Sequence, residues 1–309
     1  MKSQPLVSIL INNYNYGRFL KTAIESALNQ TYQPIEVIVV DDGSTDQSRE
    51  IISSYGDRIV PILKENGGQA SAFNSGFLRS HGEIICLLDS DDLFKPEKVA
   101  TVVKDFQKNP AVGWHFHTLE FFGDNPNNNV WEEQPDLSGV YDLAPFIIQG
   151  KLKGSLPFEV DTATSGTCFR RLFLEKNLPM PEVCGVTLSD DYIKYVSLGL
   201  SPGYIRMETM AMQRLHGENV STFRSDKKKL KAQITILTAY WIKNKFPELS
   251  KFSNNLLSLG ISIYWWLDKE EFDNQEVVEK YLSNLGILEK VWIYAKACCY
   301  RYLYYRFKR

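Results

Sequence analysis

Between residues 6 and 88 the chain alternates four short apolar, β-branched runs (6–12, 35–40, 59–63 and 84–88) with helix-length amphipathic segments. Strands separated by crossover helices pair in parallel, which predicts an α/β fold with a Rossmann-like, mostly parallel central sheet flanked by helices. The helices are expected to open near Gly17, Thr45, Gln69 and Pro96, and Pro34, Pro61 and Pro96 punctuate boundaries that a helix cannot cross. Every strand-to-helix loop then opens on one edge of the sheet. That edge collects Asn12-Asn13-Tyr14-Asn15, Asp41-Asp42-Gly43-Ser44, Asn66-Gly67-Gly68 and Asp89-Ser90-Asp91-Asp92, more polar loop residues than a solvated rim needs. The carboxyl edge is where open α/β sheets bind ligands.

Asp89 and Asp91 follow directly on the apolar run 84–88, so two carboxylates one residue apart stand at the end of a buried strand. Both can face a hard cation, which takes oxygen ligands and keeps positions for phosphate oxygens. An isolated pair of this kind is more often a solvated turn with Asp92 as a helix cap, so the rest of the chain has to decide.

The 309 residues include 35 Lys and Arg against 37 Asp and Glu, so nothing points to nucleic acid as a partner. The 13% aromatic content suits sugars and nucleobases instead. The five cysteines have neither disulfide-framework nor zinc spacing, which fits a reducing compartment, the cytoplasm by default. No apolar leader follows Met1, and no run approaches the roughly 20 apolar residues of a membrane span, so any membrane contact is expected to be peripheral.

Beyond the first hundred residues, 112–122 is expected to form a strand pair and 123–139 a long loop of the kind that serves as a lid. Strand character resumes at 162–169, and a short helix follows from Arg171. Another helix follows Asp190-Asp191 and ends near Gly199, and 204–213 is the last strand region. After Lys227-Lys228-Lys229 the pattern is helical, with breaks at Pro247, near Asp268 and near Gly286. A boundary near 225 separates an α/β domain, 1–225, from a C-terminal helical region, 226–309.

Taken in order, the segments 7–15, 39–46, 66–92, 164–171, 189–199 and 214–221 resemble the inverting family 2 glycosyltransferases of the GT-A fold. The resemblance implies transfer of a sugar from a nucleotide-sugar donor, a UDP-sugar by expectation, to an acceptor hydroxyl with inversion. The family's Pro-Thr-Tyr-Asn stands here as Asn12-Asn13-Tyr14-Asn15, a departure at the first two positions; Asn12 and Tyr14 still border the base. The family's Val-Asp-Asp-Gly-Ser-Thr-Asp is complete from Val40 to Asp46, and one of its carboxylates accepts the imide N–H of the base. Asp41 is the first choice and Asp42 the reserve. Asn66-Gly67-Gly68-Gln69 and Asn74-Ser75-Gly76 match segments that line the donor pocket.

The same resemblance places Asp89 near the ribose and the metal, Asp91 on a Mn²⁺ or Mg²⁺ ion, and Asp191 as general base. Asp190 is the alternative for that last role. In Arg214-Leu215-His216-Gly217-Glu218-Asn219-Val220-Ser221 it gives Arg214 to the diphosphate and His216 to the metal. His81, His115 and His117 receive no role. From residue 290 the chain is dense in aromatic and basic residues, which suits either a helix packed on the catalytic domain or contact with a membrane carrying a lipid-linked acceptor, as in surface polysaccharide assembly. Two rival readings are an inactive nucleotide-sugar-binding scaffold, which the intact acidic set opposes, and a sugar-phosphate nucleotidyltransferase, which would carry a Gly-rich basic loop where 12–17 has none.

Overall fold

A computed structural model describes residues 4–123, 133–151, 162–182, 189–217, 226–267 and 274–307. The chain forms two compact units, one from Met1–Asp142, Glu159–Gly185 and Leu200–His216, the other from Leu143–Phe158, Val186–Gly199 and Gly217–Arg309.

The first unit is built on a nine-stranded sheet among the described residues. Its first four strands are β1 (Val7–Asn13), β2 (Ile35–Asp42), β3 (Val60–Lys64) and β4 (Ile84–Asp89), all parallel, in the order β3-β2-β1-β4. Between them run α1 (Gly17–Leu28), α2 (Ser48–Ser53) and α3 (Gln69–Arg79), and α4 (Lys98–Lys108) follows. Because both faces of β1, β2 and β4 are covered, these strands are largely apolar instead of alternating, whereas the edge strand β3 alternates half-buried and exposed residues. Val7, Ile9, Ile11, Val37, Val39, Cys86 and Leu88 pack on Leu20, Ile24, Val102 and Phe106 of α1 and α4. Leu10 and Val40 point the other way, toward α3 at Gly76, where a Cβ would lie 3.2 Å from Val40. Each fully buried aliphatic side chain of this kind stabilises the fold by roughly 1.5–3 kcal/mol.

Beyond β4 the sheet becomes mixed. The short β5 (Leu93–Phe94), then β6 (Trp114–Gly123), β7 (Gly139–Tyr141), β8 (Thr167–Arg170) and β9 (Gly203–Leu215) complete it. β8 runs antiparallel between β4 and β6, β9 lies parallel to β6, and β5 and β7 pair antiparallel with β9. The expected strand pair over 112–122 is one ten-residue strand, because no Gly, Pro or Asn between Trp114 and Phe122 permits a turn. Residues 124–132 of the expected lid lie outside the described residues, and 135–141 form a 3-10 turn and β7.

The other helices are α5 (Ala144–Ile148), α6 (Arg171–Asn177) of the first unit, α7 (Ser189–Leu200), α8 (Lys227–Lys245), α9 (Ser250–Tyr264), α10 (Gln275–Ser283) and α11 (Ile287–Phe307). The breaks at Pro247 and near Gly286 fall as expected, and Asp268 lies outside the described residues. Within the second unit α8 and α9 approach closely at Gly260, where a Cβ would meet Ile236 at 2.5 Å.

Candidate active site

The loops after β1 and β2 are laced together. Asn13 donates its amide to Asp41 Oδ1 and Ser44 Oγ, both at 3.2 Å, and the Asn15 N–H donates to Ser44 Oγ at 2.9 Å. Asn15 holds a left-handed φ of 57°, which asparagine tolerates better than most residues, and its side-chain oxygen accepts Thr45 N–H at 2.8 Å. Asp46 takes the Gly17 N–H that opens α1 and the Ser48 N–H that opens α2. Asn13, which departs from the family's threonine, therefore supplies a cross-loop brace. Tyr14 stands half exposed above it.

Asp41 is fully buried and accepts Ser44 N–H at 3.1 Å and Arg49 Nε at 2.9 Å besides Asn13. Asp42 pairs with Lys64 Nζ at 2.6 Å and accepts the N–H groups of Gly67 and Gly68 at 3.0 and 2.7 Å. Asn66 donates to the Asp42 carbonyl oxygen at 3.0 Å, which fixes the whole 66–68 loop against β2. Gly43 sits at φ +82°, where a Cβ would lie 2.6 Å from the Asn66 nitrogen, so this turn demands glycine. A carboxylate offers about four lone-pair sites, so Asp41 and Asp42 each keep one beyond these partners.

The β4 end lies beside the β1 end, with Asp89 in register with Asn12. Gln69 donates to Asp89 Oδ1 at 3.1 Å, and the Asp89 N–H donates to Ser165 Oγ at 3.1 Å. Asp91 Oδ2 lies 3.1 Å from His216 Nε2, and Arg214 Nε donates to the Asp91 carbonyl oxygen at 3.0 Å. Phe19 and Tyr16 pack on the His216 ring, and the Arg214 guanidinium lies over Phe19 and Phe122. Asp92 is buried and accepts Ser165 Oγ–H at 2.6 Å and Arg214 N–H at 2.9 Å. Burial, and secondly the charge of Asp91, pushes the Asp92 carboxyl up to about 7. Lys98, itself buried, donates to the Ser165 carbonyl oxygen at 2.6 Å beneath this cluster, and burial lowers its pKa.

The edge thus gathers Asn12, Tyr14, Asp41, Asp42, Asn66, Gly68, Asp89, Asp91, Arg214 and His216 at the ends of β1, β2, β4 and β9 and the start of α3. Asn12 Oδ1, Asn13 Oδ1 and Ser90 Oγ are buried there without a hydrogen-bond partner among the described residues, a cost that a ligand donor would relieve. The carboxylate oxygens of Asp89 and Asp91 and the His216 imidazole suit Mn²⁺ or Mg²⁺, with phosphate oxygens and water completing the shell. No group of three or more His, Cys, Asp or Glu side chains converges among the described residues, so the ligand's own oxygens would be needed.

Asn74 is placed differently: its carboxamide exchanges hydrogen bonds with the Met180 backbone at 2.9 and 2.8 Å and donates to Glu182, bracing α3 against 180–182. Asp191 lies in the first turn of α7, within the second unit, 3.7 Å from Lys194 Nζ. Tyr192 and Leu198 of that helix are buried, and Tyr195 packs on Phe252. Asn219 and Ser221 lie outside the described residues. Sequence reasoning passed over Ser165 and gave Asp92 only a capping role. The polar run Thr162-Ala163-Thr164-Ser165-Gly166 before β8 was the available signal for Ser165.

The sequence profile described as Glycosyl transferase family 2 matches residues 8–172. This chain belongs to glycosyltransferase family 2. An uncharacterized glycosyltransferase of Nostoc sp. is 38% identical over 219 residues, 69% of this chain and 66% of that protein. The chondroitin synthase of Pasteurella multocida is 28% identical over 286 residues, 91% of this chain and 26% of that protein. The chain thus spans about two thirds of the first relative and a quarter of the second. Among solved structures, TarS 1–349 of S. aureus in complex with UDP-GlcNAc matches with a TM-score of 0.63 at 16% identity, over 96% of this chain and 89% of that one. At that identity the likeness speaks for the fold, which is GT-A.

Proposed function

We propose that this family 2 glycosyltransferase moves a hexosyl unit from a UDP-sugar to an acceptor hydroxyl with inversion, using a divalent metal. The observation that carries the reading is the Asp91–His216 pair, 3.1 Å apart at the carboxyl edge, with Asp89 on the same turn and Arg214 alongside. Asp89 and Arg214 hold the ribose and diphosphate, and Asp91 and His216 hold the cation. That cation would neutralise the charge that develops on the departing diphosphate oxygen. The base lies against Tyr14 and Asn12 and donates its imide N–H to the Asp41–Asp42 pair. Asp41 shows no surface, so Asp42 is the more accessible of the two.

In the transfer, the acceptor oxygen forms a bond to the anomeric carbon as the bond from that carbon to the diphosphate breaks. The acceptor proton passes to the Asp191 carboxylate. Asp191 owes this assignment to its place in the order of motifs. The similarity to chondroitin synthase supports an acceptor that is a glycan or lipid-linked saccharide of the kind used in polysaccharide assembly.

Thermal melting of the purified protein against a panel of nucleotide sugars, with and without Mn²⁺, tests the reading. A UDP-sugar should raise the midpoint only with the metal, and the same donor should then be hydrolysed or transferred. Stabilisation without any turnover would favour the scaffold alternative, and no response to any nucleotide sugar would sink the proposal.

A further inference from the structure

Helix α11 carries two apolar faces. One is used internally: Ile293 and Ala297 are buried, and Lys296 donates to Asn255 of α9. The other follows Leu288, Val291, Ala295, Cys298 and Tyr302, spaced i, i+3, i+7, i+10 and i+14, so these residues share one side of the helix. That side is open to solvent, with Leu288 85%, Val291 60% and Tyr302 67% exposed. Trp292 and Ile287, also exposed, widen it. A row of exposed apolar side chains along one side of a helix suits a contact surface.

The chemistry around the stripe points to its partner. Residues 287–309 hold Lys290, Lys296, Arg301, Arg306, Lys308 and Arg309 against the single acid Glu289, although the whole chain carries a net charge of −2. Trp292, Tyr294 and Tyr302 combine an apolar ring with a polar tip, the type that settles at the head-group level of a bilayer. Arg301 borders a shallow depression of about 590 Å³ whose other walls are Trp265, Cys298 and Tyr302. A planar guanidinium among apolar rings suits a phosphate oxygen pair. Among the described residues no helix is long and apolar enough to cross a membrane, so the contact lies in the plane of the surface.

We propose that the exposed face of α11 docks on an anionic lipid bilayer, with the Leu288–Tyr302 stripe in the acyl boundary and Lys290 and Arg301 among the head-group phosphates. The same spacing would also let two copies pair as a coiled coil. Against that, the seam is filled by small Ala295 and Cys298, and the flanking Ile287, Trp292, Tyr294, Cys299 and Arg301 include no carboxylate to pair with a cation of a second copy. Docking deepens the glycosyl-transfer reading by placing the enzyme where a lipid-linked acceptor resides. It is measured without donor, so the two stand or fall separately.

The test is co-sedimentation of the full chain with phosphatidylcholine vesicles, with and without phosphatidylglycerol, alongside the sedimentation coefficient of the free protein. Binding to the anionic vesicles alone is expected. The double substitution L288D/V291D, at exposed positions, should weaken it at least about tenfold, and R301E should weaken it in a salt-dependent way, with circular dichroism unchanged in both. Equal or absent binding to the two vesicle types would overturn the proposal. So would a free dimer that L288D/V291D converts to monomer, because the face would then belong to a second copy.

Discussion

The Asp92 carboxylate accepts the backbone N–H of Arg214 at 2.9 Å across 122 residues of sequence, and its second oxygen takes the Ser165 hydroxyl. One buried side chain thus fixes the end of β9, which carries Arg214 and His216, to the turn that carries Asp89 and Asp91. Both partners are donors, so asparagine, with a single acceptor oxygen, cannot replace it. Asp92→Asn should lower stability by about 1–3 kcal/mol, the cost of leaving one buried donor without its acceptor. Urea midpoints measure this, and calorimetry should show weaker metal-dependent nucleotide binding. Wild-type values for both would reduce Asp92 to an ordinary turn residue.

The Asp91–His216 contact leads to a second expectation. Asp91→Ala should abolish the metal-dependent part of UDP affinity, and His216→Ala should weaken it, since a site of so few protein ligands has none to spare. Calorimetric titrations with Mn²⁺ and with a chelator give the comparison. Full activity in excess chelator would remove the metal from the scheme.

At the base, a carboxylate that accepts an imide N–H favours uracil or thymine over cytosine, which lacks that proton. UDP should therefore bind more tightly than CDP. The substitutions Asp41→Asn and Asp42→Asn separate the two candidates: the residue that reads the base is the one whose change narrows the UDP–CDP difference. Stability follows separately, because Asp41 also holds Arg49 and Asp42 holds Lys64 and the Gly67–Gly68 backbone. Preferential binding of CDP by the unaltered protein would rule the assignment out.

Much of this was legible because hydrophobic pattern and turn chemistry are local. The four parallel strands and the acidic edge follow from apolar runs ended by polar loops, and a buried parallel strand needs no partner information to be recognised. The antiparallel half was harder to see, since β8 pairs with both β4 and β6, which lie far from it in the sequence. The brace of Asn74 on Met180 and the Asp92–Ser165 contact join residues 106 and 73 positions apart. A side chain's role at such a distance is decided by packing, and neither asparagine nor aspartate declares it. In α11, likewise, one apolar stripe faces α9 and another faces outward, which the sequence alone does not separate.

The buried pair His115 and His117 on β6 gives a pH dependence. Burial, with the Lys98 charge as the next cause, holds His117 well below its ordinary 6.5, and burial also lowers His115 despite its contact with Asp105. A depressed folded-state pKa contributes stability that is present above the unfolded value and is lost as pH falls below it. The melting midpoint should therefore drop as pH falls from 6.5 toward 5. His117→Gln, which cannot titrate, should flatten that slope even if it lowers the midpoint at neutral pH. An unchanged slope would mean that other groups govern acid stability.

The Asp191→Asn substitution distinguishes a catalytic from a structural role for this carboxylate. As a cap in the first turn of α7 it would stabilise the helix dipole by about 0.3–1 kcal/mol, and its contact with Lys194 at 3.7 Å is a partly exposed pair of small worth. As the general base it would set the rate. Asparagine preserves its size and forfeits at most that small charge–dipole contribution, yet takes no proton at neutral pH. Asp191→Asn should keep donor and metal affinity while turnover falls by roughly 10² or more. Affinity and transfer rate measured on the same preparation decide the matter. Near wild-type turnover would leave Asp191 as a cap and move the proton to Asp190, where the same substitution would then have to show the loss.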